Sequence, residues 1–229
     1  MSAQKILAHL QSLKNPKNIE GMKRFGIHGG KLLGISIPTL RTLAKKIGKD
    51  HDIAADLWAS GIHEARLLAA FVDDPALVTK QQMESWVHEF DSWDICDQAC
   101  GNLFDRTPFA YDKAEAWVRS DQEYVRRAGF AMMAALAVHD KQAVDVMFTQ
   151  FFPLIEHYAF DDRNFVRKAV NWALRQIGKR NEKLRLLAIC CAQRVLTQDT
   201  KAARWIARDA LRELQSDTTI AMIAKRKKR

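Results

Sequence analysis

The sequence predicts an all-α protein built from paired helices. Apolar residues recur at spacings of three and four along almost the whole 229-residue chain, which is the period of an amphipathic helix. No alternating run long enough for a strand interrupts them. The helical segments come mostly in pairs separated by roughly two to eight residues, with a loose recurrence of about forty residues. This recurrence indicates a HEAT-like solenoid, an α-α superhelix whose concave face is lined by one helix of each pair.

In the first half of the chain, the predicted helices begin and end at recognisable residues. Residues 3–13 form an amphipathic pattern that stops before Pro16. Half of the ten glycines lie between Gly21 and Gly34, so we predict a loop there. The segment GIHGGKLL within it is not a phosphate-binding loop, because Leu follows Lys31 where Ser or Thr is needed. The other helices predicted in this half are residues 38–47, 52–59, 63–72, 77–90 and 92–104.

The second half continues the helical pattern to residue 214. Pro153 is expected to kink or end a turn of the helix predicted over residues 142–158. We expect residues 1–217 to form a single HEAT-like domain. Residues 218–229 are predicted to be a flexible basic tail, because the five consecutive basic residues at its end repel one another. The other helices predicted in this half are residues 112–118, 124–139, 164–178, 182–197 and 201–214.

The positive charge is distributed unevenly. The chain has a formal net charge of +9. Residues 160–229 contain 18 Lys and Arg against 7 Asp and Glu, a net of +11, whereas residues 1–159 contain 18 against 20. A one-sided basic field is typical of proteins that bind a polyanion, because Lys and Arg release counterions from phosphates. The alternative is a solvated surface with no partner.

Composition also bears on the compartment. No apolar run is long enough to span a bilayer, and the N-terminal sequence MSAQKILAHL carries polar residues where a signal peptide is continuously apolar. Four cysteines in two local clusters are too few for a disulfide framework. We therefore expect a cytoplasmic protein that does not associate with a membrane.

The stretch FDSWDICDQACGNLF, residues 90–104, places a carboxylate among aromatic and sulfur side chains. Burying an ionised Asp costs on the order of several kcal/mol unless a partner or cationic ligand compensates it, so we infer that Asp97 is functional. In the alternative, Asp91 or Ser92 caps a new helix, which breaks the stripe and leaves Asp97 at a solvated first turn. At helical spacing the stripe comprises Trp86, Phe90, Trp93, Asp97, Cys100 and Phe104.

Two later segments supply cations and a second aromatic residue. In YVRRAGFAMMAAL, Arg126 and Arg127 lie about 100 degrees apart around a helix. Their side chains therefore face different directions, and both cannot lie on the same face. In FVRKAVNWALRQIGKR, Lys168, Trp172 and Arg175 share a face that suits phosphate and sugar. The alternative is that Trp172 is a core residue whose cationic neighbours extend to solvent.

The SWDICD, RRAGF and FVRKAVNWALR segments, in this order on an all-α chain, resemble the AlkD-type alkylpurine DNA glycosylases, which have a HEAT-like repeat fold. The segments LLGISIPTLRTLAKKI and WIARDALREL are also similar to that family, so the resemblance covers nearly the whole chain. It implies that Trp93, Asp97, Arg127 and Trp172 form the catalytic cleft. Arg127 is preferred to Arg126 because it directly precedes the small apolar AGF run.

The resemblance implies hydrolysis of the N-glycosidic bond of cationic N3- or N7-alkylated purines in duplex DNA, as in base excision repair, without base flipping. We further expect a monomer that needs neither cofactor nor metal. A cationic base is already a good leaving group, so one carboxylate suffices to stabilise the oxocarbenium ion and orient water. The tryptophans would face the cationic sugar and base, and Arg127 would hold a phosphate. Further DNA contacts are expected from Arg126, Arg167, Lys168, Arg175, Arg204 and Arg208.

Two other function classes remain open. A HEAT-like module can bind nucleic acid or protein without catalysis, in which case the carboxylate of Asp97 is structural. A metal-dependent hydrolase could use Asp94, Cys96, Asp97 and Cys100, but these residues spread around the helix and no HExxH or paired CxxC motif accompanies them.

Overall fold

The structure, a computed structural model, describes residues 2–28 and 31–227. Within these ranges the regular structure is helical, apart from an isolated parallel bridge between Lys31 and Ile62. The all-α prediction is therefore confirmed. The chain divides into two compact units, Met1–Phe109 and Ala110–Arg229. The single domain over residues 1–217 stays a prediction.

In the first unit α5 is the central helix. It packs against α3, α4 and α7, and most of its side chains are buried. Its apolar residues recur on more than one side because it has neighbours on several sides. The helices described in this unit are α1 (Ala3–Ser12), α2 (Pro16–Arg24), α3 (Ile37–Ile47), α4 (His51–Ala59), α5 (His63–Val72), α6 (Lys80–His88) and α7 (Trp93–Asn102), followed by a short 3-10 helix (Phe104–Arg106).

Several helix starts are set by side chains that accept a hydrogen bond from the first turn. Ser36 caps α3 and Asp50 caps α4, each by accepting from the backbone N–H three residues later. Thr79 does the same for α6, which explains why this helix begins at Lys80 and not at residue 77 as predicted.

The glycine-rich segment differs from the prediction in its first part. Gly21 lies inside α2, which Asn15 caps and Pro16 begins. The irregular connection therefore starts only at Phe25. Gly34 within it has a φ of +76°, and a Cβ there would lie 2.3 Å from the Asn15 carbonyl oxygen, so this position requires glycine.

The aromatic stripe is not one continuous helix. Helix α6 ends at His88, and Ser92 occupies the N-cap position of α7. The helix break proposed as the alternative is thus present, yet Asp97 lies in the second turn of α7 and is half-buried. The aromatic residues on either side of the break still meet in the core. There Trp86 stacks on Trp58 with ring centroids 3.9 Å apart, and Phe90 and Phe104 complete the cluster.

In the second unit α9 and α12 form the core. They pack against each other, α8 covers α9, and α13 and α14 cover α12. Nearly all residues of α9 from Val125 to Ala137 are buried. The helices described in this unit are α8 (Ala110–Trp117), α9 (Glu123–His139), α10 (Val146–Thr149), α11 (Phe152–Tyr158), α12 (Asn164–Gly178), α13 (Glu182–Leu196), α14 (Lys201–Leu214) and α15 (Asp217–Lys227).

Two segments of this unit differ from the sequence-based expectation. The helix predicted over residues 142–158 is two short helices, α10 and α11, with Pro153 in the first turn of the second. Where a flexible tail was predicted from residue 218, the structure continues in α15. Thr219 and Ile223 of α15 are buried, and the helix packs against α13 and α14. Thr219 and Ile223 lie four residues apart, so one face of α15 is buried. Lys228 and Arg229 lie outside the described residues.

Gly129 sets the approach of α8 to α9. A Cβ at this position would lie 2.5 Å from Val118 Cγ1, 2.7 Å from the Val118 nitrogen and 2.9 Å from the Ala114 carbonyl oxygen. Two of these atoms belong to the backbone of the α8 segment, which cannot move as a flexible side chain can. The two helices must therefore separate if any side chain is added.

We expect Gly129→Ala to lower the free energy of unfolding by about 1–3 kcal/mol, the usual cost of overpacking a core. Gly21→Ala is the matched control, because nothing lies within 4 Å of its added Cβ. That change should stabilise α2 by about 0.5–1 kcal/mol through helix propensity. Urea unfolding of both variants measures the difference. Equal stability of the two variants would contradict the close approach of α8 to α9.

Candidate active site

Trp93 and Asp97 lie four residues apart on α7, so their side chains share one face of the helix. Both are half-buried. The indole Nε1 of Trp93 donates a hydrogen bond to the carbonyl oxygen of Phe25, at 3.0 Å. The connection after α2 is thereby tied to the start of α7. The first unit thus presents an aromatic ring and a carboxylate side by side.

Phe25 is an aromatic residue that the sequence analysis missed. Its side chain is 74% exposed, although its carbonyl oxygen holds the indole of Trp93. The Phe25 side chain is therefore accessible to a ligand beside Trp93. Phe25 could have been identified as a candidate because it directly follows Lys23 and Arg24, at the start of the irregular connection.

A buried polar pair fixes the start of α7 to α5. His63 Nε2 lies 2.9 Å from Asp94 Oδ2, and both residues are buried. Burial alone would raise the pKa of Asp94, but the hydrogen bond and the charge of His63 outweigh it and hold that pKa below its ordinary value. Burial lowers the pKa of His63, and the nearby carboxylates more than compensate, so its pKa is raised. The pair therefore favours the ionised state, which anchors the helix that carries Trp93 and Asp97.

Glu64 binds the backbone of residues 33–35, the last part of the glycine-rich connection. This carboxylate is fully buried and accepts hydrogen bonds from the backbone N–H groups of Leu33, Gly34 and Ile35, at 2.8, 2.6 and 3.3 Å. Three donors compensate the burial of one charge. The backbone of residues 33–35, directly before α3, is therefore fixed by Glu64.

The two cysteines of α7 face the core. Cys96 and Cys100 are completely buried, and burial, together with Cys96, raises the pKa of the Cys100 thiol well above its ordinary value. A neutral thiol is a poor metal ligand. Among residues 2–28 and 31–227, no group of three or more His, Cys, Asp or Glu is arranged to hold a metal ion.

Arg126 is a structural residue of the second unit. Its guanidinium is buried and donates to Val118 O at 3.1 Å, Asp161 Oδ2 at 2.6 Å and Asp121 Oδ1 at 3.1 Å. It also lies over the Tyr158 ring, 4.7 Å from the centroid. Protein acceptors surround the donors that a phosphate would need, which weakens the expected DNA contact at Arg126.

Arg127 points to a different partner. One Nη group donates to the Phe165 carbonyl oxygen at 2.6 Å, at the start of α12. The residue is only 5% exposed. Successive positions around α9 thus send the two guanidinium groups to different acceptors, as their angular separation predicts. Because Arg127 is buried, its charge is fixed in position, unlike that of a flexible surface arginine that reaches out to bind a phosphate.

The outer face of α12 carries Lys168, Trp172 and Arg175. Lys168 is exposed and Trp172 is half-buried, so Trp172 is not a fully buried core residue. Arg175 forms ion pairs with Glu213 and, at 3.6 Å, with Asp209. Its charge is therefore largely neutralised, which weakens the expected DNA contact at Arg175. Lys168 and Trp172 remain accessible to a ligand.

Helix α14 extends this basic face. Arg204 pairs with Asp199 at 2.7 Å on the surface, where such pairs contribute little, and Arg208 is exposed. The guanidinium carbon of Arg167 lies 4.7 Å from the ring centroid of Trp205, which joins α12 to α14. The second unit thus places Arg167, Lys168, Arg204 and Arg208 on two neighbouring helices.

A basic groove in the first unit was also missed. Residues 1–50 contain ten Lys and Arg against two Asp and Glu, a net of +8, which an average over residues 1–159 conceals. The groove has a volume of about 520 Å³, and its lining includes Arg41, Lys45, Lys49 and Arg106. Arg41 is held in place by the side-chain oxygens of Gln98 and Asn102 of α7, at 3.1 and 3.0 Å.

Three comparisons with known proteins bear on this site. The profile of a family described as DNA alkylation repair enzyme matches residues 6–214. Uncharacterized proteins of Listeria monocytogenes and Listeria innocua are each 25% identical over 125 residues, which is 53% of this chain and 56% of the relative. The matched part thus spans little more than half of those relatives.

A solved structure matches with a TM-score of 0.77 at 19% identity, over 93% of this chain and 96% of the other. It represents a new family of proteins related to the HEAT-like repeat DNA glycosylases with affinity for branched DNA structures. The match confirms the predicted HEAT-like class. In addition, no helix within the described ranges is long and apolar enough to cross a bilayer.

Proposed function

This chain belongs to the DNA alkylation repair enzyme family, and on that premise we propose that it is a DNA glycosylase acting on cationic N3- or N7-alkylated purines in duplex DNA. The observation that carries the proposal is the carboxylate of Asp97 beside Trp93 on one accessible face of α7. The polar pair beneath α7 and the Phe25 carbonyl hold that face in place.

The reaction needs one carboxylate. As the bond between C1′ and the purine nitrogen breaks, its electron pair leaves with the base, which becomes neutral, and positive charge develops on the deoxyribose. Asp97 would stabilise that charge and orient a water molecule whose oxygen attacks C1′. The proton released from this water passes to the carboxylate or to solvent. No general acid is required, because the alkylated base carries its own positive charge.

The remaining catalytic residues would act on charge and position. Trp93 and Trp172 offer ring faces to the cationic sugar and base, each contact contributing roughly 0.5–2 kcal/mol. Arg127 would supply a fixed positive charge near the DNA backbone, consistent with its burial. We propose that the lesion stays stacked in the duplex. A strong rise in 2-aminopurine fluorescence at the lesion site on binding would count against this part.

DNA binding is proposed for the basic face of α12 and α14. Affinity for duplex DNA should fall steeply with salt, with a slope of about −0.9 per phosphate contacted. Arg208→Gln should reduce that slope by about 1, measured by fluorescence anisotropy at several salt concentrations. Arg194→Gln is the control, because Arg194 is an exposed cation of the same unit that already pairs with Glu156. Equal slopes for the two variants would exclude Arg208 from the interface.

A second candidate function is binding of branched DNA without catalysis. It is favoured by the affinity for branched structures of the structural neighbour and by the basic groove around Arg41 in the first unit. In that case Asp97 would be structural, and the protein would bind junctions without releasing a base.

Base release distinguishes the two candidates. Wild-type protein is incubated with methylated duplex DNA, and the freed purines are separated by chromatography. Release of 7-methylguanine or 3-methyladenine supports the glycosylase. No release, together with tighter binding to a four-way junction than to a duplex of equal length, supports the second candidate.

A further inference from the structure

Trp205 is an exposed tryptophan on a helix whose other large apolar side chains are mostly buried. It lies near the start of α14 and is 38% exposed, whereas Ile206 and Leu214 of the same helix are fully buried. The ring therefore does not contribute to the core of the second unit in the way its neighbours do. The Arg167 guanidinium lies over one face of this ring. The exposed remainder of the indole, on a basic surface, is suited to stacking with a planar ligand.

The groove around Trp205 has a volume of about 480 Å³. Its basic residues recur at steps of three and four along α14, so they form one stripe on the outer face of the helix. From residue 201 to residue 212 this stripe extends about 16 Å, which is the length of at most about four to five nucleotides of a strand stacked as in B-DNA. The lining comprises Lys201, Arg204, Trp205, Arg208, Asp209 and Arg212.

Much of the positive charge in this groove is not neutralised. Arg167, whose guanidinium lies over the Trp205 ring, has no ion pair within the described ranges, and its buried Nε has no hydrogen-bond partner there. Among the described residues the cations of the lining that form ion pairs are Arg204 and Arg212, which leaves Lys201 and Arg208 without one. The acidic residue in the lining, Asp209, already accepts from Asn171 at 2.7 Å and pairs with Arg212. The positive charge that remains in the groove is therefore available to bind an anion.

We propose that this groove binds unpaired nucleotides of a DNA strand, with one base stacked on Trp205 and the phosphates on Arg167, Lys201 and Arg208. The inference rests on the proposed function in that it takes the ligand to be DNA. A paired base inside a duplex has both faces covered by its neighbours, whereas an unpaired base can stack on the indole. Because every base has such a face, the groove would recognise unpaired structure and not sequence.

The test compares two DNA ligands of equal sequence in the duplex part. One is blunt, and the other carries a single-stranded tail of about five nucleotides, the length that the stripe can accommodate. Fluorescence anisotropy gives the ratio of the two affinities for each protein. We expect wild type to prefer the tailed ligand by about tenfold, which corresponds to the stacking of one base. Trp205→Ala should bring this ratio close to one, and Trp205→Phe should retain most of it.

Phe160→Ala is the matched control, because Phe160 is 49% exposed in the same unit and does not line the groove. It should keep the wild-type ratio, and thermal unfolding confirms that each variant is folded. A ratio of one in wild type, or an unchanged ratio in Trp205→Ala, would overturn the proposal. Base release by wild type is measured separately. If no base is released but the affinity ratios behave as expected, the glycosylase proposal is wrong and the nucleotide-binding proposal is supported. Failure to bind either ligand would overturn the nucleotide-binding proposal.

Discussion

Asp97→Asn should lower the rate of base release from methylated duplex DNA by a factor on the order of 10² or more, with DNA affinity retained within a few-fold. The amide keeps the shape of the side chain but removes the negative charge that would stabilise the oxocarbenium ion and orient water. The rate is measured under single-turnover conditions by chromatography of the freed purines, and the affinity by anisotropy with the same duplex.

Asp56→Asn is the matched control, because Asp56 is an exposed carboxylate on α4 of the same unit. It should leave both quantities unchanged. An unchanged rate in Asp97→Asn would exclude the carboxylate from the reaction. A parallel loss of rate and affinity would instead assign Asp97 to binding, so the two measurements separate the chemical from the positional role.

Arg126→Ala should reduce the free energy of unfolding by about 3–5 kcal/mol, since it removes one partner of a buried ion pair. Asp161 is 4% exposed and, among residues 2–28 and 31–227, would keep Arg163, at 2.5 Å, as its remaining ion-pair partner. Val118 would also lose a hydrogen bond to its carbonyl oxygen. Urea unfolding measures the change.

Arg119→Ala provides the comparison for that variant. Arg119 is an exposed cation of the same unit, and its loss should change stability by no more than about 0.5 kcal/mol. DNA affinity of Arg126→Ala, measured at a temperature where the variant is folded, should match wild type. If Arg126→Ala is stable but binds DNA more weakly than wild type, Arg126 is a DNA contact and not a structural residue.

The stability difference between wild type and Arg126→Ala should also depend on pH. Burial raises the pKa of Asp161, but hydrogen bonds from Arg163 and Arg126 outweigh it and hold the pKa below its ordinary value of 3.8. A carboxylate with a lowered folded-state pKa contributes stability that is present above the unfolded value and is lost as pH falls through the folded value. The stability difference should therefore shrink as pH falls below 3.8, leaving the part that does not depend on the Asp161 charge. Parallel curves down to pH 2 would show that the ion pair contributes nothing.

The helical class and the position of most helices could be predicted from local sequence patterns. Helical periodicity is a local property, so residues 63–72, 164–178 and 201–214 could be assigned as helices with their observed bounds. The motifs SWDICD and FVRKAVNWALR likewise identified Asp97 and Trp172 as candidates, because they are contiguous patterns that do not depend on distant contacts. Their roles in catalysis stay a proposal.

Which basic and aromatic residues are accessible depends on tertiary packing and could not be predicted from local sequence. Arg126 and Arg127 are adjacent in sequence and identical in type, yet Arg126 is held by Asp161, 35 residues away, and Arg127 by Phe165, 38 residues away. The exposure of Phe25 and the partial exposure of Trp205 likewise follow from how the neighbouring elements pack. Periodicity assigns a residue to one face of its own helix, but its partners come from elements far along the chain. Burial, and with it the availability of a charge or a ring, is therefore set by packing and not by local sequence.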